Sequence, residues 1–221
     1  MTRRGLLAPL LATVATAACA PLIGEGGPAP VPLGPPGWRT ARAAYGADPR
    51  QTLRLYRPAR ADGSPILILL PDGAPQAEDE RAADERTARD LAEQGFVVVL
   101  ADRRAAPGSP YPAFIADGAS AVAWAARRAG DLGGDAGRIG VLGLGEGGRA
   151  ALMLALDRRY LAAAGAPGAV RAAAALGAPD KPDATFTHPS VYEGARGGTP
   201  VWRGAADDLT EAVAFLREAL S

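Results

Sequence analysis

Ile139-Gly140-Val141-Leu142-Gly143-Leu144-Gly145-Glu146-Gly147-Gly148 is the most informative run of the chain. Its apolar start, Ile139–Leu142, has the character of a strand covered on both faces. Residues Glu146–Leu156 follow with helical periodicity. The glycines between them let a strand and a helix approach closely through a tight turn. A generic glycine-rich strand-to-helix turn, or a poor phosphate loop, would read the same way over six residues. The surrounding chain has to decide.

Working outward, short apolar runs alternate with longer amphipathic ones. Thr52–Tyr56 alternates with period two, as a half-buried strand does, and Ile66–Leu70 and Phe96–Leu100 are continuous apolar runs. Helices are expected over Ala82–Gln94, ended by Gly95, and over Ala113–Ala129, begun after Pro112. Val170–Leu176 and Pro200–Trp202 read as further strands, and Leu209–Leu220 as a closing helix. Such alternation implies an α/β fold: a doubly wound, mostly parallel sheet with helices on both faces. There is no internal repeat, and 221 residues suit one domain with a leader.

The bulk numbers exclude more than they assign. Hydrophobic residues make up 48% and charged residues 22%, enough to fill a core. Twenty-four basic residues balance 24 acidic ones, which argues against nucleic acid as a partner, because phosphate tracks need a cationic excess. Cys19 is the one cysteine and His188 the one histidine. No intrachain disulfide can form, and no metal site or cofactor is expected.

Residues 1–18 read as an export signal: Arg3 and Arg4 supply the positive start and Gly5–Ala15 an uncharged apolar stretch. Thr16-Ala17-Ala18-Cys19 resembles a bacterial lipobox, which implies lipidation of Cys19 and contact with a bilayer through that anchor. Thr16 stands where a lipobox usually has leucine. The alternative is an ordinary signal peptide cut near Ala17 or Ala20. Residues 19–37 hold six prolines and five glycines and read as an extended tether, leaving 38–221 for the folded domain. The expectation is a periplasm-facing, lipid-anchored domain in a bacterial envelope.

The flanks of the glycine run carry a resemblance. Asp48-Pro49-Arg50-Gln51 before Thr52–Tyr56, then Leu100-Ala101-Asp102-Arg103-Arg104, is similar to the opening of the esterase/lipase family of α/β hydrolases. Tyr111–Asp117 running into Ala121–Trp124, Gly133-Gly134-Asp135 with Arg138-Ile139, and Ala155–Ala162 resemble the same family in continuous register. In that context Gly143–Gly147 resembles the nucleophile elbow G-x-S-x-G.

The resemblance implies a Ser–Asp–His triad, and the chain departs from it. Gly145 stands at the serine position and has no oxygen to attack an ester. Asp207 falls at the acid position. The family histidine is expected beyond the acid; here Asp208 leads into Leu209–Leu220, so the sheet is expected to be shortened at its C-terminal edge and the segment bearing the histidine to be missing. His188 precedes the acid and reads as a surface loop residue rather than a substitute base. The oxyanion loop is represented by Asp72, Gly73 and Ala74, with Glu146 following the elbow. A carboxylate at Asp72 opposes charge build-up on an oxyanion unless it points away.

Three readings follow. The first is a catalytically impaired esterase-fold protein that binds a small apolar or acyl ligand, or a protein partner. The second is a hydrolase in which Glu146 or Asp207 activates water, against the plainer role of Glu146 as an acid in a first helical turn. The third is a structural envelope module.

Overall fold

The computed structural model describes residues 39–73, 78–104, 111–178 and 199–221. Of the two compact units into which the chain divides, Met1–Val31 and Pro32–Ser221, all described residues belong to the second. Cys19, Ala74 and His188 lie outside the described residues.

The sheet is built on β3 (Ser64–Leu70) and β4 (Val97–Ala101), which pair in parallel. Along both, alternate residues enter opposite cores. Ile66, Ile68, Leu70, Val97, Val99 and Ala101 join one cluster, while Leu67, Leu69, Val98 and Leu100 join the other. Every one is fully buried. Full burial of each Val, Leu or Ile contributes roughly 1.5–3 kcal/mol, which is why these runs are apolar at both parities.

The remaining strands are β1 (Thr40–Ala44), β2 (Thr52–Tyr56), β5 (Gly134–Leu144), β6 (Val170–Leu176) and β7 (Val201–Gly204). The seven strands run in the order β1-β2-β4-β3-β5-β6-β7. The first two are antiparallel to their neighbours and all the others are parallel. Helices α1 (Glu78–Glu93) and α6 (Leu209–Ala219) cover one face. The other face carries α2 (Ala113–Arg127), α3 (Ala129–Leu132), α4 (Glu146–Leu156) and α5 (Arg158–Ala163). This is the doubly wound α/β arrangement that the alternation implied.

Several boundaries differ from the expectation. Helix α1 starts at Glu78, four residues early, because Glu78, Asp79 and Glu80 suit the positive helix start without adding any apolar repeat. Strand β5 begins at Gly134 rather than Ile139, extended by pairing of Ser64 with Gly134. The helix expected over Ala113–Ala129 breaks after Arg127 and resumes as one turn, closed by Gly133 at φ +74°. Two elements were not anticipated. Strand β1, Thr-Ala-Arg-Ala-Ala, is an edge strand with alternate residues exposed, and α5 is capped by Asp157, which accepts from the Arg159 N–H at 3.0 Å. Among the described residues no helix is long and apolar enough to cross a membrane.

Candidate functional site

The centre is the passage from β5 into α4. Gly145 sits there at φ +51°, ψ −118°, a conformation open to glycine and strained for other residues. Its N–H donates to the Leu176 carbonyl at 2.8 Å, and its own carbonyl accepts from Gly148 N–H at 3.0 Å. The flanking glycines are required by contact. A Cβ on Gly143 would overlap the Gly147 carbonyl, and one on Gly147 would overlap the Leu70 carbonyl. Strand and helix approach so closely because nothing protrudes between them.

Across this turn lies the loop after β3. Asp72 does not point away. Its Oδ1 accepts from the Glu146 N–H at 2.9 Å. A Cβ on Gly145 would overlap the Asp72 carboxyl group. The acid therefore fills the volume of the absent side chain and takes a free N–H at the start of α4. That end of a helix favours negative charge by about 0.3–1 kcal/mol at an exposed position.

Arg103 holds the loop from beneath and was not assigned a role from sequence. Only 6% exposed, it donates from one terminal nitrogen to the carbonyls of Pro71 (2.5 Å) and Gly73 (3.4 Å), which bracket Asp72. Its guanidinium lies over the Phe114 ring. Burial pushes its pKa below the usual arginine range, while the charges of Glu146 and Asp72 act the other way. The hint was its place inside Leu100–Arg104; its burial became visible only in three dimensions.

The other candidates are less engaged. Glu146 is exposed, and its carboxylate accepts from Arg149 at 3.0 Å, an ordinary i,i+3 pair in a first helical turn. Asp207 is exposed on the turn between β7 and α6, and β6 separates that turn from the elbow strand. Its neighbour Asp208 organises the turn by accepting from Ala205 N–H at 2.8 Å. Gly73, at φ +60°, turns the loop. Asp84 on α1 was missed. Half-buried, it is pushed up to about 6 by burial, with Arg54 opposing and Asp102, Glu80 and Asp72 adding to the rise. Among the described residues no group of three or more His, Cys, Asp or Glu is placed to hold a metal.

The family-like segments around the elbow serve as scaffold. Asp117, fully buried, accepts from Gln51 Nε2 at 2.7 Å, Arg104 N–H at 2.9 Å and the Arg104 guanidinium at 2.7 Å. Asp102 accepts from Thr52 and Arg54, each at 2.7 Å, and Tyr45 donates to its carbonyl at 2.6 Å. The quoted Asp48–Gln51, Asp102–Arg104 and Asp117 segments are thus tied into one frame beside the loop that carries Asp72.

Comparison with known proteins fits this geometry. The model of the BD-FAE family matches residues 53–164, half of the chain, from β2 through the elbow to the end of α5. The chain belongs to the BD-FAE family. Esterase LipC of Mycobacterium tuberculosis is 34% identical over 128 residues, which cover 55% of this chain and 31% of LipC. Carboxylesterase NlhH of the same species is 44% identical over 59 residues, 27% of this chain and 18% of NlhH. The matched part thus spans under a third of these curated relatives. Among solved structures, Thermogutta terrifontis esterase 2 phosphoramylated by tabun superposes with a TM-score of 0.61 at 20% identity, covering 84% of this chain and 80% of that one. EstE1, a thermostable carboxylesterase from a metagenomic library, gives 0.60 at 18% identity, covering 83% and 89%. These structural likenesses establish the α/β-hydrolase fold.

Proposed function

We propose that this BD-FAE member is catalytically impaired as an ester hydrolase and acts by binding, with its domain exported and tethered through Cys19. One observation carries the reading. The carboxylate of Asp72 fills the space of the absent Gly145 side chain and takes the Glu146 N–H that would otherwise face a developing oxyanion.

Loss of a triad nucleophile lowers turnover by roughly 10⁶, and the remnant depends on oxyanion donors and binding. Here one such donor is already engaged by an anion, so the remnant is expected to be smaller still. The names of LipC and NlhH point to esters as the chemistry of the lineage, and a small apolar or acyl compound is the ligand class that chemistry suggests for the elbow. Water activation by Glu146 or Asp207 has less support. The first is paired with Arg149, and the second lies on an exposed turn one strand away.

The test is hydrolysis of p-nitrophenyl acetate and butyrate by the purified full chain. The expected rate stays near that of buffer. Turnover of about 1 s⁻¹ or more, within the ordinary enzyme range, and lost in Asp72→Ala or Glu146→Ala, would overturn the reading. The anchor is tested separately by the mass of the mature chain, which should carry acyl groups that Cys19→Ala removes.

A further inference from the structure

We propose that the cleft between the β1–β2 edge and helix α1 binds a phosphate group, gripped by Arg42 and Arg89. The site lies away from the elbow and is independent of whether the elbow is catalytic. It is a cleft of about 270 Å³ whose lining includes Thr40, Arg42, Arg54, Tyr56, Glu85 and Arg89.

The charges here are arranged against simple stability. Arg42 on β1 stands directly opposite Arg54 on β2 in the antiparallel register. Like charges facing each other across strands repel. Arg54 is 7% exposed and already satisfied as a charge, binding Glu85 at 3.1 Å and Asp102 at 2.7 Å, yet its buried Nε has no hydrogen-bond partner. Glu85 is also held by Arg89 at 2.7 Å. One carboxylate therefore serves three arginines: Arg54 and Arg89 pair with it directly, and Arg42, exposed at the rim, acts on it only electrostatically and makes no ion pair among the described residues. Asp84 is the next acid along α1, but its chief electrostatic neighbours are Arg54, Asp102, Glu80 and Asp72, neither rim arginine among them.

The rim suits a compact oxyanion. Arg89 lies over the Tyr56 ring, 5.7 Å from its centroid, which limits the directions its guanidinium can take. Two guanidinium groups give parallel N–H donors that match a tetrahedral phosphate. Thr40, also at the rim, brings a hydroxyl. A cleft this size takes a single phosphate group, and the balanced charge of the chain speaks against a longer polyanion. The phosphate can come from a soluble phosphomonoester or from a lipid headgroup.

The test uses the full chain carrying Cys19→Ala, so that no acyl group contributes. Inorganic phosphate is titrated while amide shifts of β1, β2 and α1 are followed. Sedimentation with phosphatidylcholine vesicles, with and without phosphatidylglycerol, forms the second arm. The expected result is saturable phosphate binding centred on Arg42 and Arg89, weakened about tenfold or more in Arg42→Ala and in Arg89→Ala, consistent with loss of a charge-assisted contact. Melting curves check that both variants stay folded. Phosphate binding without vesicle binding assigns the site to a soluble ligand. Vesicle binding that needs phosphatidylglycerol and is lost in Arg42→Ala assigns it to a headgroup. No binding in either arm, or binding untouched by both substitutions, overturns the proposal.

Discussion

The Asp72 carboxyl group occupies the volume that any side chain on Gly145 would need, and it holds the first N–H of helix α4 at 2.9 Å. A residue on the loop after β3 and a residue 73 positions later thus behave as one unit. Glycine at 145 is tolerated at φ +51° without strain, and the vacated space is filled by an anion suited to a helix start.

Putting the hydroxyl back alone is therefore expected to fail. Gly145→Ser forces a non-glycine residue into a strained conformation, at about 1–3 kcal/mol, and also displaces Asp72. Asp72→Gly loses only the helix-end contact, about 0.3–1 kcal/mol. The double variant should be more stable than the sum of the two losses allows, with a coupling of about 1 kcal/mol or more. Urea unfolding of all four proteins measures it. Strict additivity would mean that Asp72 and Gly145 do not share this space in solution.

Asp84 makes stability depend on pH in an unusual direction. Its pKa rises from 3.8 to about 6 in the fold, burial being the largest cause. Between those values the folded chain binds more protons than the unfolded one, so stability falls as pH rises through that window. The contribution is fully present below the unfolded value and gone above the folded one. Asp84→Asn should therefore stabilise the protein at pH 7–8, by about 1 kcal/mol after discounting for solvent screening of a half-exposed group. It should give no such gain near pH 4. Thermal melts of both proteins across this range are the check, and an equal difference at all pH values would reject the assignment.

Much of the scaffold was legible in the sequence because its physics is local. β3 and β4 announce themselves through apolar residues at both parities, and the elbow through glycines that contact geometry requires. β1 was not legible: in Thr40–Ala44 the only contrast is Ala against Arg, too faint a pattern to mark an edge strand. The first turn of α1 is acidic and has no apolar repeat to reveal it. At the site, Asp72 could be placed on the right loop, but its direction depends on how closely Leu70 and Gly147 approach, a long-range fact. Arg103 and Asp84 look like ordinary charged residues until packing encloses them.

The frame around Asp117 should be the least tolerant part of the site's support. Its carboxylate is fully buried and bound by Gln51 and by Arg104 through both backbone and side chain. Removing Asp117 leaves the donors of Gln51 and Arg104 without their acceptor, at about 1–3 kcal/mol, while the Arg104 guanidinium, 28% exposed, regains water. Asp117→Ala is expected to lower stability by that amount in denaturant unfolding. A loss under about 1 kcal/mol, the range of exposed pairs, would show that the network is solvated and does not hold the 102–104 segment in place.

Arg42 should behave oppositely. It is exposed, makes no ion pair among the described residues, and faces Arg54 directly across β1 and β2, while Glu85 attracts it only from beyond ion-pair distance. Relief of that repulsion makes Arg42→Ala stabilising, by about 0.2–1 kcal/mol, the scale of a cross-strand charge contact. Salt should shrink the gain, since screening weakens the repulsion in the native protein at a rim open to solvent. Phosphate should reverse it: an anion that binds the folded wild type adds stability which the variant cannot acquire. Melting temperatures of both proteins in low salt, in sodium chloride and in phosphate of matched ionic strength separate these effects. If chloride and phosphate act alike on the pair, screening alone accounts for the arginines and the cleft has no phosphate ligand.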